Sequence, residues 1–136
     1  MIRLSLLVAT TALMACAAVN GPAGPATASH ATDTLTITLG ASATSRDGAL
    51  RVAFLRLVQD SRCAVNVTCV WEGDATVRLR ADADRSTVEA TIHTALDPRT
   101  LTAGRYVLSL LDVLPYPGAA DSARTPEVRL LVRPAP

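Results

Sequence analysis

After residue 33 this chain is dominated by short runs in which apolar and polar residues alternate one by one, the spacing of half-buried β-strands. Leu35, Ile37 and Leu39 alternate with threonines in a first predicted strand, and Gly40 ends it. Leu50, Val52 and Phe54 continue the pattern, after which the phase slips to Leu55 and Leu57, as a β-bulge would make it. A helix over residues 49–58 is the rival, because Leu50, Phe54 and Leu57 also fit helical spacing; the strand-rich surroundings favour the strand. Ala75, Val77 and Leu79, then Val88, Ala90 and Ile92, flank a polar turn at Asp82-Ala83-Asp84-Arg85 and predict a hairpin. Arg78, Arg80, Glu89 and His93 fall on its solvent side, so His93 reads as a sheet-surface residue rather than a ligand. Residues 106–114 are long and apolar, the mark of a central strand buried on both faces. Val128, Leu130 and Val132 form the last alternating run.

Six or seven short strands with no convincing helix predict an all-β fold, an antiparallel β-sandwich over residues 33–133 with a tail at 134–136. An immunoglobulin-like Greek key is the expected version. Tyr106 opens a strand directly after Leu101-Thr102-Ala103-Gly104-Arg105, the place of a tyrosine corner, whose hydroxyl bonds backbone a few residues upstream.

The first residues read differently. Arg3 is followed by an apolar run over residues 4–13, broken only by Ser5, Thr10 and Thr11, and then by Leu13-Met14-Ala15-Cys16. This is the build of a bacterial export signal, residues 1–15, and its end resembles a lipoprotein cleavage box. A ten-residue helix spans about 15 Å, half of a bilayer core, so the run is no membrane anchor by itself. Cys16 is then the lipidation site, through which the chain meets a membrane, and residues 16–32 are a Pro/Gly-rich flexible tether that also carries His30. Ordinary secretion, with cleavage after Ala26-Thr27-Ala28, is the alternative, and gives a periplasmic or secreted protein instead of a lipid-anchored one in the cell envelope. Ala17 lacks the Asp that retains some lipoproteins at an inner membrane, which points to the outer membrane where the host has one.

With Cys16 lipidated or removed, Cys63 and Cys69 remain and are expected to pair in an oxidising compartment. Two thiols without neighbouring histidines make a poor zinc set, and no metal or cofactor is expected. Loss of Arg3 leaves 12 basic residues against 12 acidic ones, a balance that argues against nucleic acid as a partner. Every basic residue is Arg. Two histidines, one of them in the tether, give little material for a triad, and four aromatics (Phe54, Trp71, Tyr106 and Tyr116) cannot supply an extended stacking surface.

The unusual residues concentrate in Asp60-Ser61-Arg62-Cys63-Ala64-Val65-Asn66-Val67-Thr68-Cys69-Val70-Trp71-Glu72-Gly73-Asp74, and again in Leu114-Pro115-Tyr116-Pro117-Gly118. An Asp-Ser-Arg-Cys stretch followed shortly by Cys-Val-Trp-x-Gly, and later by Pro-Tyr-Pro, resembles a family of uncharacterised bacterial secreted and lipid-anchored proteins. The family often has Pro directly after the first Cys, where this chain has Ala64. The resemblance covers roughly residues 52–132. It implies the fold and the compartment and brings no established activity.

Asp60, Arg62, Gly73 and Tyr106 are read as structural residues: Asp60 pairs with Arg62 or caps the turn, and Gly73 permits a bulge or tight bend. Trp71 could lie against the disulfide and close one end of the sandwich, its indole N–H on a backbone partner. Asp112, a lone charge in an apolar run, needs an arginine partner or an exposed edge. Trp71, Pro115, Tyr116 and Pro117 are the candidate binding loop, since a rigid turn that presents Tyr offers large contact area at low entropy cost. The expected function is a non-catalytic, lipid-anchored envelope module that binds an envelope protein or component through its end loops. The alternatives are a loop-inserting protease inhibitor, a metal-dependent enzyme using Asp60, Glu72 and Asp74, and a purely structural module.

Overall fold

The computed structural model describes residues 32–136. The export signal, Cys16, His30 and the tether up to residue 31 lie outside the described residues. Eight strands follow in chain order: β1 (Asp33–Thr38), β2 (Ser42–Thr44), β3 (Leu50–Asp60), β4 (Ala75–Ala83), β5 (Ser86–His93), β6 (Thr100–Ala103), β7 (Tyr106–Leu114) and β8 (Glu127–Pro134). Two antiparallel sheets, ordered β1-β8-β7-β6 and β2-β3-β4-β5, stack face to face as a β-sandwich. The six alternating runs all form strands; β2 and β6 are the two that no run predicted. Each is three or four residues long, too short for alternation to announce it.

The chain changes sheets at Leu39–Gly40. The Leu39 N–H still bonds Pro126 O beside β8, whereas the next N–H, that of Gly40, bonds Phe54 O on β3. Gly40 turns the corner at φ +83°, a left-handed conformation that costs glycine little. Each sheet is otherwise one run of neighbouring strands, with β1 added beside β8. The chain thus crosses between sheets twice, whereas an immunoglobulin constant domain, with sheets ABED and CFG, crosses three times.

Alternation places the core. Leu50, Val52, Phe54, Val77, Leu79, Ala81 and Ile92 point inward from one sheet, and Leu35, Ile37, Leu108, Leu110, Val128 and Leu130 from the other. Burial of each large side chain contributes about 1.5–3 kcal/mol before the entropy of ordering is set against it.

The phase slip in β3 is a bulge, and a second follows it: register jumps between Phe54 and Arg56 and again between Leu57 and Gln59, leaving Leu55 and Val58 as the extra residues. Leu57 returns to the core while Leu55 and Val58 stay exposed. β7 has a bulge too, at Leu111 between Leu110 and Asp112. That corrects the reading of residues 106–114 as buried on both faces. The run looks continuously apolar because the inward phase shifts across the bulge; Leu111 is exposed and Val107 and Ser109 are half-buried.

The β4–β5 hairpin forms as predicted, with Asp84 and Arg85 both at positive φ in the two-residue turn. β6 and β7 form a second hairpin, so the segment before Tyr106 is itself a strand. At the carboxyl end β8 runs to Pro134, one residue past the predicted boundary, and the Ala135 N–H bonds Arg105 O.

Candidate functional site

Strand direction gathers the predicted motifs at one end. β3 and β7 both run toward it, and the segments that follow them, residues 61–74 and 115–126, close it. The base of the first segment is a short ladder: the Ser61 N–H bonds Asp74 O and the Cys63 N–H bonds Glu72 O, each at 2.8 Å. Gly73 makes this ladder possible. It sits at φ +75°, and a Cβ there would lie 2.0 Å from Ser61 O. Above the ladder, Cys63 and Cys69 are joined with their Cα atoms 5.9 Å apart, within the ordinary disulfide span. Inside the staple the chain turns on itself, with the Val67 N–H bonded to Ala64 O.

Arg62 ties the two segments together. Its side chain is 4 % exposed. Nε and Nη2 donate to Asp60 Oδ1 and Oδ2 at 2.8 and 2.7 Å, a bidentate pair. Nη1 donates to Val113 O and to Asp112 Oδ1, and Nη2 also reaches Pro115 O at 3.2 Å. The guanidinium lies over the Tyr116 ring, 4.2 Å from its centre. Burial works against the charge of Arg62, but the Asp60 carboxylate outweighs it and holds the pKa above the ordinary arginine value. Asp60 plays both roles read from the sequence, since its Oδ1 also accepts the Arg62 backbone N–H. Asp112 finds its arginine on the segment after β3, in the opposite sheet.

The Pro-Tyr-Pro turn docks on the stapled loop: Pro117 O accepts the Val65 N–H at 3.0 Å, and Gly118 packs against Ala64 and Asn66. A shallow open groove of about 120 Å³ runs between Leu57 and Asp60 on one side and residues 113–117 on the other. Above this framework the surface is apolar. Val65, Val67, Val70, Trp71 and Tyr116 are exposed, Val70 completely and Trp71 at 57 %. The expectation that Trp71 seals the end of the sandwich is thereby corrected. The ladder below it and the Arg62 network already close that end, so the indole is left outside, and its N–H has no bond among the described residues.

Asp74 lies at the rim of the same end and is buried with a full set of partners. Its Oδ1 accepts the N–H groups of Ala95 and Leu96, and its Oδ2 accepts the Thr76 hydroxyl and, at 2.7 Å, His93 Nδ1. Burial pushes this carboxyl up, but the Ala95 N–H, His93 and the other donors together pull it down to about 2. His93 stays on the outer face of its strand as expected, yet its ring orients a buried carboxylate, a role the strand pattern did not disclose. The signal was the hairpin register, which sets Thr76, two positions after Asp74, opposite His93.

Asp60, Glu72 and Asp74 do not converge. Asp60 is held by Arg62, Asp74 by His93 and its backbone donors, and Glu72 is exposed. Among the described residues no group of three His, Cys, Asp or Glu side chains has the geometry of a metal site.

Tyr106 belongs to the opposite end. Its hydroxyl donates to Asp47 Oδ2 in the β2–β3 turn and accepts from Arg105, in place of the upstream backbone bond of a tyrosine corner. The Ser45 and Tyr106 hydroxyls and the Ala49 N–H hold Asp47 at about 2.

No family model, curated protein or solved structure matches this chain. The chemistry of the end loops therefore has to carry the functional reading.

Proposed function

We propose that this protein is a non-catalytic binding module of the bacterial cell envelope, tethered by a lipid on Cys16, that engages an envelope protein or component through the end built from residues 61–74 and 115–118. The observation that supports this is the pairing of an exposed apolar tip with a rigid base. Trp71, Tyr116 and three valines stand out of a framework locked by the disulfide, the Asp74 and Glu72 ladder and the buried Arg62. Exposed aromatics held by a preorganised support lose little freedom on binding, which is why such residues dominate interface energies. Asp60, Asp74 and Asp112 at this end all serve as acceptors for neighbouring donors, an architectural use rather than an acid–base one.

Orientation fits the tethered reading. The chain enters the sandwich at Asp33, whose register partner is Val132, far along β8 from the tip; the tip lies beside Thr38 and Glu127. A tether that leads to a membrane would meet the domain at the end opposite the apolar loops.

The test is photo-crosslinking in intact cells from a reactive residue at position 70, with position 105 at the opposite end as the reference. A discrete adduct from position 70 that Trp71→Ala removes is the expected result. Equal adducts from both positions, or adducts indifferent to Trp71→Ala, would remove the basis for the proposal.

A further inference from the structure

We propose a second interaction surface: the outer face of the β2-β3-β4-β5 sheet docks on an anionic lipid surface. The two bulges in β3 carry this inference. Bulges re-aim side chains, and here each turns an aliphatic residue outward, leaving Leu55 40 % and Val58 44 % exposed on a strand whose regular positions alternate in and out. Between them stands Arg56, exposed, and in register with Arg78 on β4. Like charges directly opposite each other destabilise a sheet. Arg78 and Arg80 have Glu89 and Asp82 as partners, but Arg56 makes no ion pair among the described residues. With Arg51, the face holds four arginines against two carboxylates.

Outward aliphatic side chains set among arginines match the boundary between headgroups and acyl chains, where apolar groups insert and guanidinium forks take phosphate oxygens in pairs. Other occupants fit less well. A second copy of the chain, face to face, would set arginine against arginine. An acidic peptide added as a strand would need an even ladder along the β3 edge, which is open only beyond Phe54, and two extra residues within that stretch break the spacing.

The test uses residues 17–136, which contain every strand of the sandwich and neither the leader nor the lipidated cysteine. Co-sedimentation with vesicles of phosphatidylglycerol and phosphatidylcholine is compared with vesicles of phosphatidylcholine alone. Binding to the anionic vesicles that weakens with added salt is expected, and Arg56→Glu, which breaks no ion pair, should lower the partition about twenty-five-fold, at about fivefold for each of the two units of charge changed. Leu55→Ser with Val58→Ser should lower it further, with an unfolding midpoint unchanged from the parent. Equal binding to neutral vesicles, insensitivity to Arg56→Glu, or binding to an acidic polypeptide with none to anionic vesicles would overturn the inference. A loss produced by Trp71→Ala and not by Arg56→Glu would assign membrane contact to the tip and overturn it as well.

Discussion

The Arg62 guanidinium grips the Asp60 carboxylate two residues behind it through two parallel hydrogen bonds of 2.8 and 2.7 Å, while its other nitrogen reaches across to the end of β7. One side chain thereby closes the gap between the two sheets at the apolar tip. Truncating it would leave Asp60 and two backbone carbonyls without their donor in a confined site. Arg62→Ala should lower unfolding free energy by about 3–5 kcal/mol, the cost of breaking a buried pair from one side. Arg62→Lys should recover only part of this, because an ammonium cannot repeat the bidentate fork. Urea unfolding of the two variants measures both.

Asp74 predicts a specific acid response. Its folded pKa, about 2, is depressed below the ordinary 3.8. The stability it contributes is therefore fully present above pH 4 and is lost as pH falls toward 2. The gap corresponds to about 2.5 kcal/mol. Asp74→Asn should cost a comparable amount at neutral pH and flatten the stability profile between pH 4 and 2 relative to the parent. Denaturant titrations across that window check the sign.

Gly73→Ala should be among the most damaging single-methyl changes in the chain. The added carbon would meet backbone, Ser61 O at 2.0 Å, and the φ of +75° is unfavourable for alanine as well. A loss of at least about 2 kcal/mol is expected. Amide exchange should report it locally, with the Ser61 and Cys63 N–H groups losing protection before those of β4.

The Cys63–Cys69 bond closes a short loop outside the hydrophobic core. Replacing both cysteines by serine should cost about 2–2.5 kcal/mol on the chain-entropy estimate and leave the sandwich folded. Far-ultraviolet dichroism should be unchanged and the urea midpoint lowered. If the tip is the binding end, adducts from position 70 should weaken in the same variant.

At the other end, Tyr106→Phe removes a hydroxyl that holds Asp47. The Asp47 carboxyl should then titrate above its present value of about 2 and still below 3.8, because Ser45 and the Ala49 N–H remain. Carboxyl-detected NMR titration resolves this.

Much of this architecture could be read from residue order, and the reason lies in local geometry. A strand in a sandwich shows one face to the core and one to water, so Leu35, Ile37, Val77, Leu79 and Val128 announce their elements by period alone. The β3 bulge was legible for the same reason, as a break in that period. The short β2 and β6 were not, since three or four residues hold too little pattern. Arg62 with Asp60 could be anticipated because they are only two positions apart. Arg62 with Val113, or Tyr106 with Asp47, could not, because they lie 51 and 59 positions apart.

The order of amino acids therefore determined which segments are strands, which face of each is apolar, and which two cysteines lie near enough to join. Those properties follow from backbone period and from short chain separation. Tertiary structure alone decided that the stapled loop and the Pro-Tyr-Pro turn make one surface, that Trp71 stands exposed on it, and that Asp60 and Asp74 serve Arg62 and His93 rather than a shared ion. Such partnerships depend on how two sheets stack and where their ends meet, and a buried charge accepts whichever donor that stacking brings within hydrogen-bond reach.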